Sequence, residues 1–532
     1  MTKYWILILV FATTLILQPW RNSVSQDDAA YSFSAISVAH GDGHFHAGMV
    51  AMSWPQILSG AGVLKVTQPF LENLRALNFL TWVLFLAMAG IFAFCLRGRP
   101  WLLLAFLAAP TWIQYAASYL TEIYSAFLLV GLIWTLQRDE KFNRTGGRPG
   151  FGGRALACGA AFLLAVQVQH MAAFPFFWGL GLGIQRRQWK LGVGLMASAV
   201  AGAGLFLLVG KLPFQDAYAY WLVQEWIEKG SRTPVVFGTL LVEHFLALGL
   251  FLIPTLKFED VRKRSGVIGV VIQVCVIGLF KITETPPLAA GVLFLDYLPA
   301  WVGWVFLSMG TWGLFGLWEL IRRHRHQEWP TFAALGMILI FTVFRLAADI
   351  RYIMTCAVPI LILLVKNEPR GRRLGDLPAY GLAVLFASVF FNLYNLNTSA
   401  ARWDLARSLE AKGIDPTQIS AGFGRDAFVM EDSCIRAAIA KLETTEAPPV
   451  IKTEAFRNRI IHQWGRSYSD GWVPRFVIKP SRAFGRDLNL KKNRVVGQEQ
   501  EPIDRINYSV LGLSNQLAVF ENANPQPAWC FR

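Results

Sequence analysis

As far as Asn397 the chain alternates long apolar runs with short polar stretches, and many of the runs approach the roughly 20 residues a membrane-crossing helix needs. Read as membrane spans, they predict roughly thirteen helices, near residues 4–20, 78–96, 101–117, 121–137, 155–168, 172–185, 191–210, 234–256, 266–281, 298–321, 330–345, 352–366 and 377–397. The connecting stretches differ in charge on alternate sides. One set holds Arg97 and Arg99, the run from Arg138 to Arg154, Arg186, Arg187 and Lys190, the run from Lys257 to Arg264, Arg322 to Arg325, and Lys366 to Arg373. The other set carries far fewer cations. Short basic loops stay in the cytoplasm, so this pattern predicts a cytoplasmic N-terminus and a tail after Asn397 on the outer face. The first run, YWILILVFATTLILQPW, could instead be a signal peptide cut at the small residues Ser23 and Ser25. Retention is the reading adopted, because cleavage would leave the acidic pair that follows untethered.

Two outer loops are unlike ordinary connectors. Residues 21–77 show helical apolar spacing in HAGMVAMSWPQIL and LENLRALNFL, which predicts helices lying along the membrane surface. Residues 211–232 alternate aromatic and charged groups in the same way. The runs 155–168 and 172–185 are short for spans and turn at Gln167–His170, which fits a membrane invaded locally by a cavity. Beyond Asn397 the pattern changes. RWDLARSLEAKGIDPTQISAGF reads as an amphipathic helix, a glycine turn and a short strand, and VVGQEQEPIDRINYSVLGL and LAVFENA read as later strands. The predicted fold class is therefore an α-helical polytopic membrane protein, residues 1–397, with a small extracytoplasmic α/β domain, residues 398–532.

Composition agrees with this division. Of 532 residues, 54% are hydrophobic and only 16% charged, which excludes a disordered chain or a nucleic-acid-coating protein. The net charge of +15 is accounted for by the cytoplasmic loops and lipid headgroup contacts, so it does not call for an anionic polymer as partner. Cys95, Cys158, Cys275 and Cys356 fall in expected spans as small apolar side chains. Cys434 and Cys530 are the pair in the tail, where an oxidising compartment would let them join.

Ionisable chemistry concentrates just after the first run, in QDDAAYSFSAISVAHGDGHFHAGMVAM. Asp27 or Asp28 could accept a proton from a substrate hydroxyl, helped by burial beside Tyr31 and Phe33, or could simply cap the helix that AAYSFSA begins. His40, Asp42, His44 and His46 could gather a divalent metal with that pair, or form a flexible turn around Gly41 and Gly43. Glu122 and His170 stand at outer turns as catalytic helpers or as interfacial polar groups. Arg345, Asp349, Arg351 and Tyr352 lie between two late spans, where an arginine either snorkels to headgroups or holds a lipid phosphate. Glu243 and His244 lie inside the eighth expected span, where ionisable groups need partners.

Taken in order, these strings resemble the GT-C superfamily of membrane glycosyltransferases, and within it the bacterial arabinofuranosyltransferase and mannosyltransferase branch. The first outer loop there typically begins DDAYISFRYA and passes through a glycine-rich turn, which QDDAAYSFSAISVAHGDG resembles at Asp27, Asp28, Ala29, Tyr31, Ser32 and Phe33. LTEIYSAFLLVGLI is similar to that branch's second acidic segment and places its glutamate at Glu122. DIRYIMTCAVPIL is similar to its late RYLLPxLP segment at Arg351, Tyr352 and Pro359. Two strings depart from the pattern: HFHAGMVAMSWPQIL stands where an EGYTSPLW-like string is usual, and VQVQHM where an RPE often sits.

The resemblance implies a polyprenyl-phosphate sugar as donor, an extracytoplasmic glycan, lipid or protein as acceptor, and inverting transfer. It implies Asp27 and Asp28 as catalytic residues, with Asp27 the favoured base, and Glu122, His170, Arg351, Tyr352 and His44 as substrate contacts. No cofactor is implied, a divalent metal staying open, and the chain would sit in the inner membrane with its tail in the periplasm. Other classes have distinct requirements. A transporter would need polar or broken helices meeting at the midplane, usually with a repeat between halves. A polysaccharide polymerase or ligase would carry key arginines in large outer loops, and a non-catalytic assembly protein would need no acidic pair. The charge asymmetry and the odd span count predict that a reporter active only outside the cytoplasm, fused after Arg532, gives signal, whereas one active only in the cytoplasm stays silent.

Overall fold

The computed structural model describes chiefly residues 2–24, 28–42, 53–95, 112–144, 151–209, 266–282, 377–430, 475–480 and 504–521. Helices dominate the described residues: α1 (Thr2–Ile16), α2 (Asp28–His40), α3 (Trp54–Thr67), α4 (Asn73–Cys95), α5 (Thr121–Arg144), α6 (Phe151–Gln167), α7 (Ala173–Arg186), α8 (Trp189–Val209), α9 (Gly266–Ile282) and α10 (Leu377–Ala411). Apolar runs become helices because a helix satisfies its own backbone groups where no water can. In α3, Pro55 stands in the first turn, where its missing N–H is not needed.

By length and composition, Asn73–Ala93 is the one described segment long and apolar enough to cross a membrane, with a mean hydropathy of 2.0. Thr121–Leu136, Gly152–Gln167, Ala173–Ile184, Trp189–Leu205 and Val270–Leu279 are shorter apolar helices. Several of these turn large apolar side chains outward, among them Leu156, Val193, Val200, Val270 and Val274. Such a surface suits lipid and would be costly in water. Cys275 is also exposed, on α9, while Cys158 is half-buried on α6. Helices α7 and α8 touch backbone to backbone: a Cβ on Gly179 would lie 2.5 Å from the Gly192 carbonyl oxygen. Small residues allow this approach, which is how apolar helices gain contact when lipid removes the hydrophobic drive.

One expectation for the first outer loop needs correction. LENLRALNFL is no separate surface helix, because its residues from Asn73 onward form the first turns of α4. The first helix of the loop, α2, is buried along almost its whole length, from Asp28 to Ala39. It is small-residue rich and packs against α3, α4 and the tail. The hairpin expectation agrees with the structure: α6 ends at Gln167, a single 3-10 turn spans Gln169–Ala172, and α7 returns.

Helix α10 runs for 35 residues from the last expected span through Asn397 and into the tail. The border between residues 397 and 398 therefore falls inside one continuous helix. It ends where Gly413 takes φ +86°, a left-handed conformation open to glycine, with the Ile414 N–H donating to the Leu409 carbonyl at 3.3 Å. Strands β1 (Ile419–Ser420), β2 (Phe476–Pro480), β3 (Asp504–Val510) and β4 (Leu513–Glu521) form one sheet in the order β1-β2-β4-β3. β1 runs parallel to β2, and the other pairs are antiparallel. Leu405, Ala406 and Leu409 of α10 cover this sheet through Ile419, Phe476, Ile478, Leu517 and Val519. Cys434 and Cys530 lie outside the described residues.

A short helix, α11 (Phe423–Met430), follows β1 and carries a buried carboxyl, Asp426, in its first turn. The Ser420 hydroxyl donates to Asp426 at 2.7 Å and the Ala421 N–H at 3.0 Å. Burial outweighs these bonds and the nearby Arg425 and Arg402, pushing the carboxyl up to about 6. A carboxyl that is harder to ionise when folded contributes stability below its unfolded value near 3.8 that is lost as pH rises through about 6. Thermal unfolding from pH 3.5 to 7 is expected to show wild type losing up to about 3 kcal/mol relative to Asp426→Asn across that window.

Candidate active site

Residues 17–24, which follow α1, are irregular, and the backbone groups of 21–24 are held from outside. Asn78 of α4 donates to the carbonyls of Arg21 at 2.9 Å and Ser23 at 3.2 Å. From α10, Ser399 and Trp403 both donate to the Val24 carbonyl, at 2.9 and 3.1 Å, and Arg407 donates to that of Asn22. Arg21 itself is buried and donates from Nη2 to Asn397 Oδ1 at 2.5 Å. Desolvation brings its guanidinium down to about 10, so it stays charged near neutral pH.

This clamp delivers the chain to Asp28, which is 1% exposed at the N-terminal turn of α2. The positive end of a helix favours a carboxylate there. Asp27 lies outside the described residues. Glu122 stands in the equivalent place on α5, 6% exposed in the first turn, with the Thr121 hydroxyl donating to its Oε2 at 3.2 Å. The two helices share one apolar cluster, in which Ala30, Tyr31 and Ala35 of α2 meet Tyr124 of α5, Tyr119 before it, and Ile57, Ala61 and Leu64 of α3. Tertiary structure thus brings two buried carboxylates onto helix starts around a common core.

Of the other expected site residues, His170 falls in the 3-10 turn between α6 and α7, while His44, Arg351 and Tyr352 lie outside the described residues, as do Arg345, Asp349, Glu243 and His244. His40 ends α2 with its Nε2 3.0 Å from Gln68 Nε2. Among the described residues no group of three or more His, Cys, Asp or Glu side chains could hold a metal, and His46 is outside them too.

Sequence reasoning missed a buried amide pair beside this core. Gln56 of α3 and Gln167 at the end of α6 are both fully buried. Gln167 Nε2 donates to Gln56 Oε1 at 3.0 Å, and Gln167 Oε1 accepts the Gln56 backbone N–H at 3.2 Å. Gln56 Nε2 then donates to the Tyr119 carbonyl at 3.1 Å, and the Tyr119 hydroxyl returns a bond to the Gln56 carbonyl at 2.5 Å. Burial pushes the Tyr119 phenol well above its usual range, so it remains a donor. The two glutamines lie in SWPQIL and VQVQHM, the strings that depart from the glycosyltransferase pattern. A glutamine in an apolar run carries no periodic signal, so only their proximity reveals the pairing.

No family model matches this sequence, and no curated protein sequence matches it. Among solved structures, the crystal structure of ArnT from Cupriavidus metallidurans bound to undecaprenyl phosphate is similar over 97% of each chain, at 12% identity and a TM-score of 0.38. That is a loose likeness of overall course, below the level at which a shared fold follows.

The tyrosine approaches α3 at Gly60, where a Cβ would sit 2.0 Å from the Tyr119 hydroxyl oxygen. Replacing glycine by alanine inside a helix ordinarily stabilises by up to about 1 kcal/mol. Here Gly60→Ala is expected to lower the melting temperature of the purified protein, with a cost of about 1–3 kcal/mol from overpacking. Adding Tyr119→Phe, which removes the clashing oxygen, should recover part of that loss.

Proposed function

We propose that the chain is a membrane glycosyltransferase of the GT-C kind, moving a sugar from a polyprenyl-phosphate donor to an extracytoplasmic glycan, lipid or protein with inversion. The observation that carries this reading is the burial of Asp28, next in sequence to Asp27, at the start of α2. A buried carboxyl at a helix start, in a string that resembles the superfamily's acidic first loop, suits a role in proton transfer. The resemblance of QDDAAYSFSA, LTEIYSAFLL and DIRYIMTCAVPIL to that superfamily supplies the reaction class. Glu122 supports it from the structural side, since its helix lines the same core as α2.

In this reading the donor's lipid tail lies among the apolar helices, and its phosphate and sugar reach the outer boundary. The acceptor hydroxyl loses its proton to the carboxylate, for which the resemblance favours Asp27. The acceptor oxygen bonds to the anomeric carbon from the face opposite the phosphate, the bond from that carbon to the phosphate oxygen breaks, and polyprenyl phosphate leaves with the electron pair. Inversion follows from this single displacement. Arg351 and Tyr352 hold the donor phosphate, while Glu122, His170 and His44 contact sugar or acceptor. The tail, residues 398–532, works on the periplasmic side, beside α2.

Replacing a carboxylate by its amide keeps shape and most hydrogen bonding but removes the base, and a positioned general base contributes roughly 100- to 10,000-fold in rate. With purified protein and a panel of polyprenyl-phosphate sugars, Asp27→Asn or Asp28→Asn is expected to lower transfer by that amount while leaving the melting temperature close to wild type. Wild-type rates in both folded variants would overturn the assignment.

A further inference from the structure

Among the described residues, the charge of Arg21 finds no answering charge. The side chain is only 6% exposed, and one nitrogen, Nη2, donates to the neutral amide of Asn397. Its Nε and Nη1 are buried without a hydrogen-bond partner. Among the described residues no carboxylate lies within ion-pair distance. A guanidinium cannot shed its proton at physiological pH, and a neutral amide does not balance a formal charge, so a buried cation of this kind is held at a substantial cost unless an anion completes it.

Location narrows the class of anion. α1 ends at Ile16, five positions before Arg21, and Asn397 is the last residue of the final expected span. On the topology expected from the basic loops, this contact puts the guanidinium near the outer boundary of the apolar region, at the depth of lipid phosphates. It is not a long side chain reaching freely into headgroups, because its own carbonyl is fixed by Asn78 and those of Asn22 and Val24 by α10. A rigid, desolvated guanidinium binds phosphate better than a mobile one, since little freedom is lost on contact. The same clamped segment leads to Asp27 and Asp28.

We infer that Arg21 is a binding site for a lipid-borne phosphate, completed when that phosphate accepts from Nε and Nη1. That the lipid is the polyprenyl-phosphate donor rests on the function proposed above. The site itself rests on the unanswered guanidinium.

The test uses full-length protein in detergent and follows thermal unfolding against three probes: undecaprenyl phosphate, undecaprenol and phosphatidylglycerol. Undecaprenyl phosphate should raise the wild-type melting temperature and undecaprenol should not. In Arg21→Met or Arg21→Gln, whichever folds, the apparent affinity should fall about 10- to 100-fold, the loss of charge-assisted hydrogen bonds. Without lipid these variants should melt no lower than wild type, because an uncompensated buried charge is gone. If phosphatidylglycerol stabilises wild type equally and the variants lose that too, the phosphate site stands but belongs to bulk headgroups. A response to phosphatidylglycerol alone keeps the site and removes the glycosyltransferase reading. Unchanged lipid affinity in a folded variant overturns the Arg21 site and leaves that reading intact. Should neither variant fold, a photoactivatable polyprenyl phosphate on wild type decides: crosslinks mapping to residues 17–24 support the site, and crosslinks confined elsewhere refute it.

Discussion

The Val24 carbonyl accepts two hydrogen bonds, from Ser399 and Trp403, and these fix the irregular residues 21–24 that follow α1. Residues 21–24 have no helix of their own to satisfy their backbone, and at a membrane boundary water is a poor substitute. The long helix α10 supplies the missing donors from one side and Asn78 from the other. Residues 21–24 are thereby held between α4 and α10.

The same helix joins the tail to the site. Trp403, whose indole N–H reaches Val24, packs edge-on against Phe428 of α11 with ring centroids 5.9 Å apart, and Phe428 also meets Phe33 of α2 at 5.8 Å. Arg425 of α11 pairs with Glu410 near the end of α10 and donates to the Ile419 carbonyl at 2.9 Å. Sheet, α11 and α10 therefore form a body that rests on the helix bearing Asp28. The tail is a wall of the candidate site rather than an appendage to the membrane part.

Polar order inside the membrane part follows a similar rule of full pairing. Gln56, Gln167 and Tyr119 satisfy one another and tie the first outer loop to the hairpin tip and to the start of α5. Ser59 extends the chain, donating to Tyr124 at 3.1 Å. Buried amides left unpaired would each cost more than the bonds return, so such a network fixes the relation of α3 to α6 more sharply than apolar packing does. Gly60 is the opening that lets the tyrosine reach it.

From the sequence alone come the helical course of the chain, the asymmetry of its basic loops, the strands β1, β3 and β4 of the tail but not β2 between them, and the acidic residues Asp28 and Glu122 as candidates. Each of these is a local property: apolar run length, charge count, alternation, or a short string. Arg21 and Asn397 were legible only as an ordinary boundary cation and an ordinary end of a span, and LENLRALNFL only as an amphipathic stretch. Their meaning depends on contacts between residues 376 positions apart, as with Arg21 and Asn397, or 111 apart, as with Gln56 and Gln167. No period or spacing encodes such pairs, because burial and hydrogen-bond satisfaction are decided only when the helices pack. Tertiary structure alone made a boundary arginine a buried charge with no carboxylate partner among the described residues, and made the stretch from Asp28 to His40 a buried helix with a carboxyl at its start.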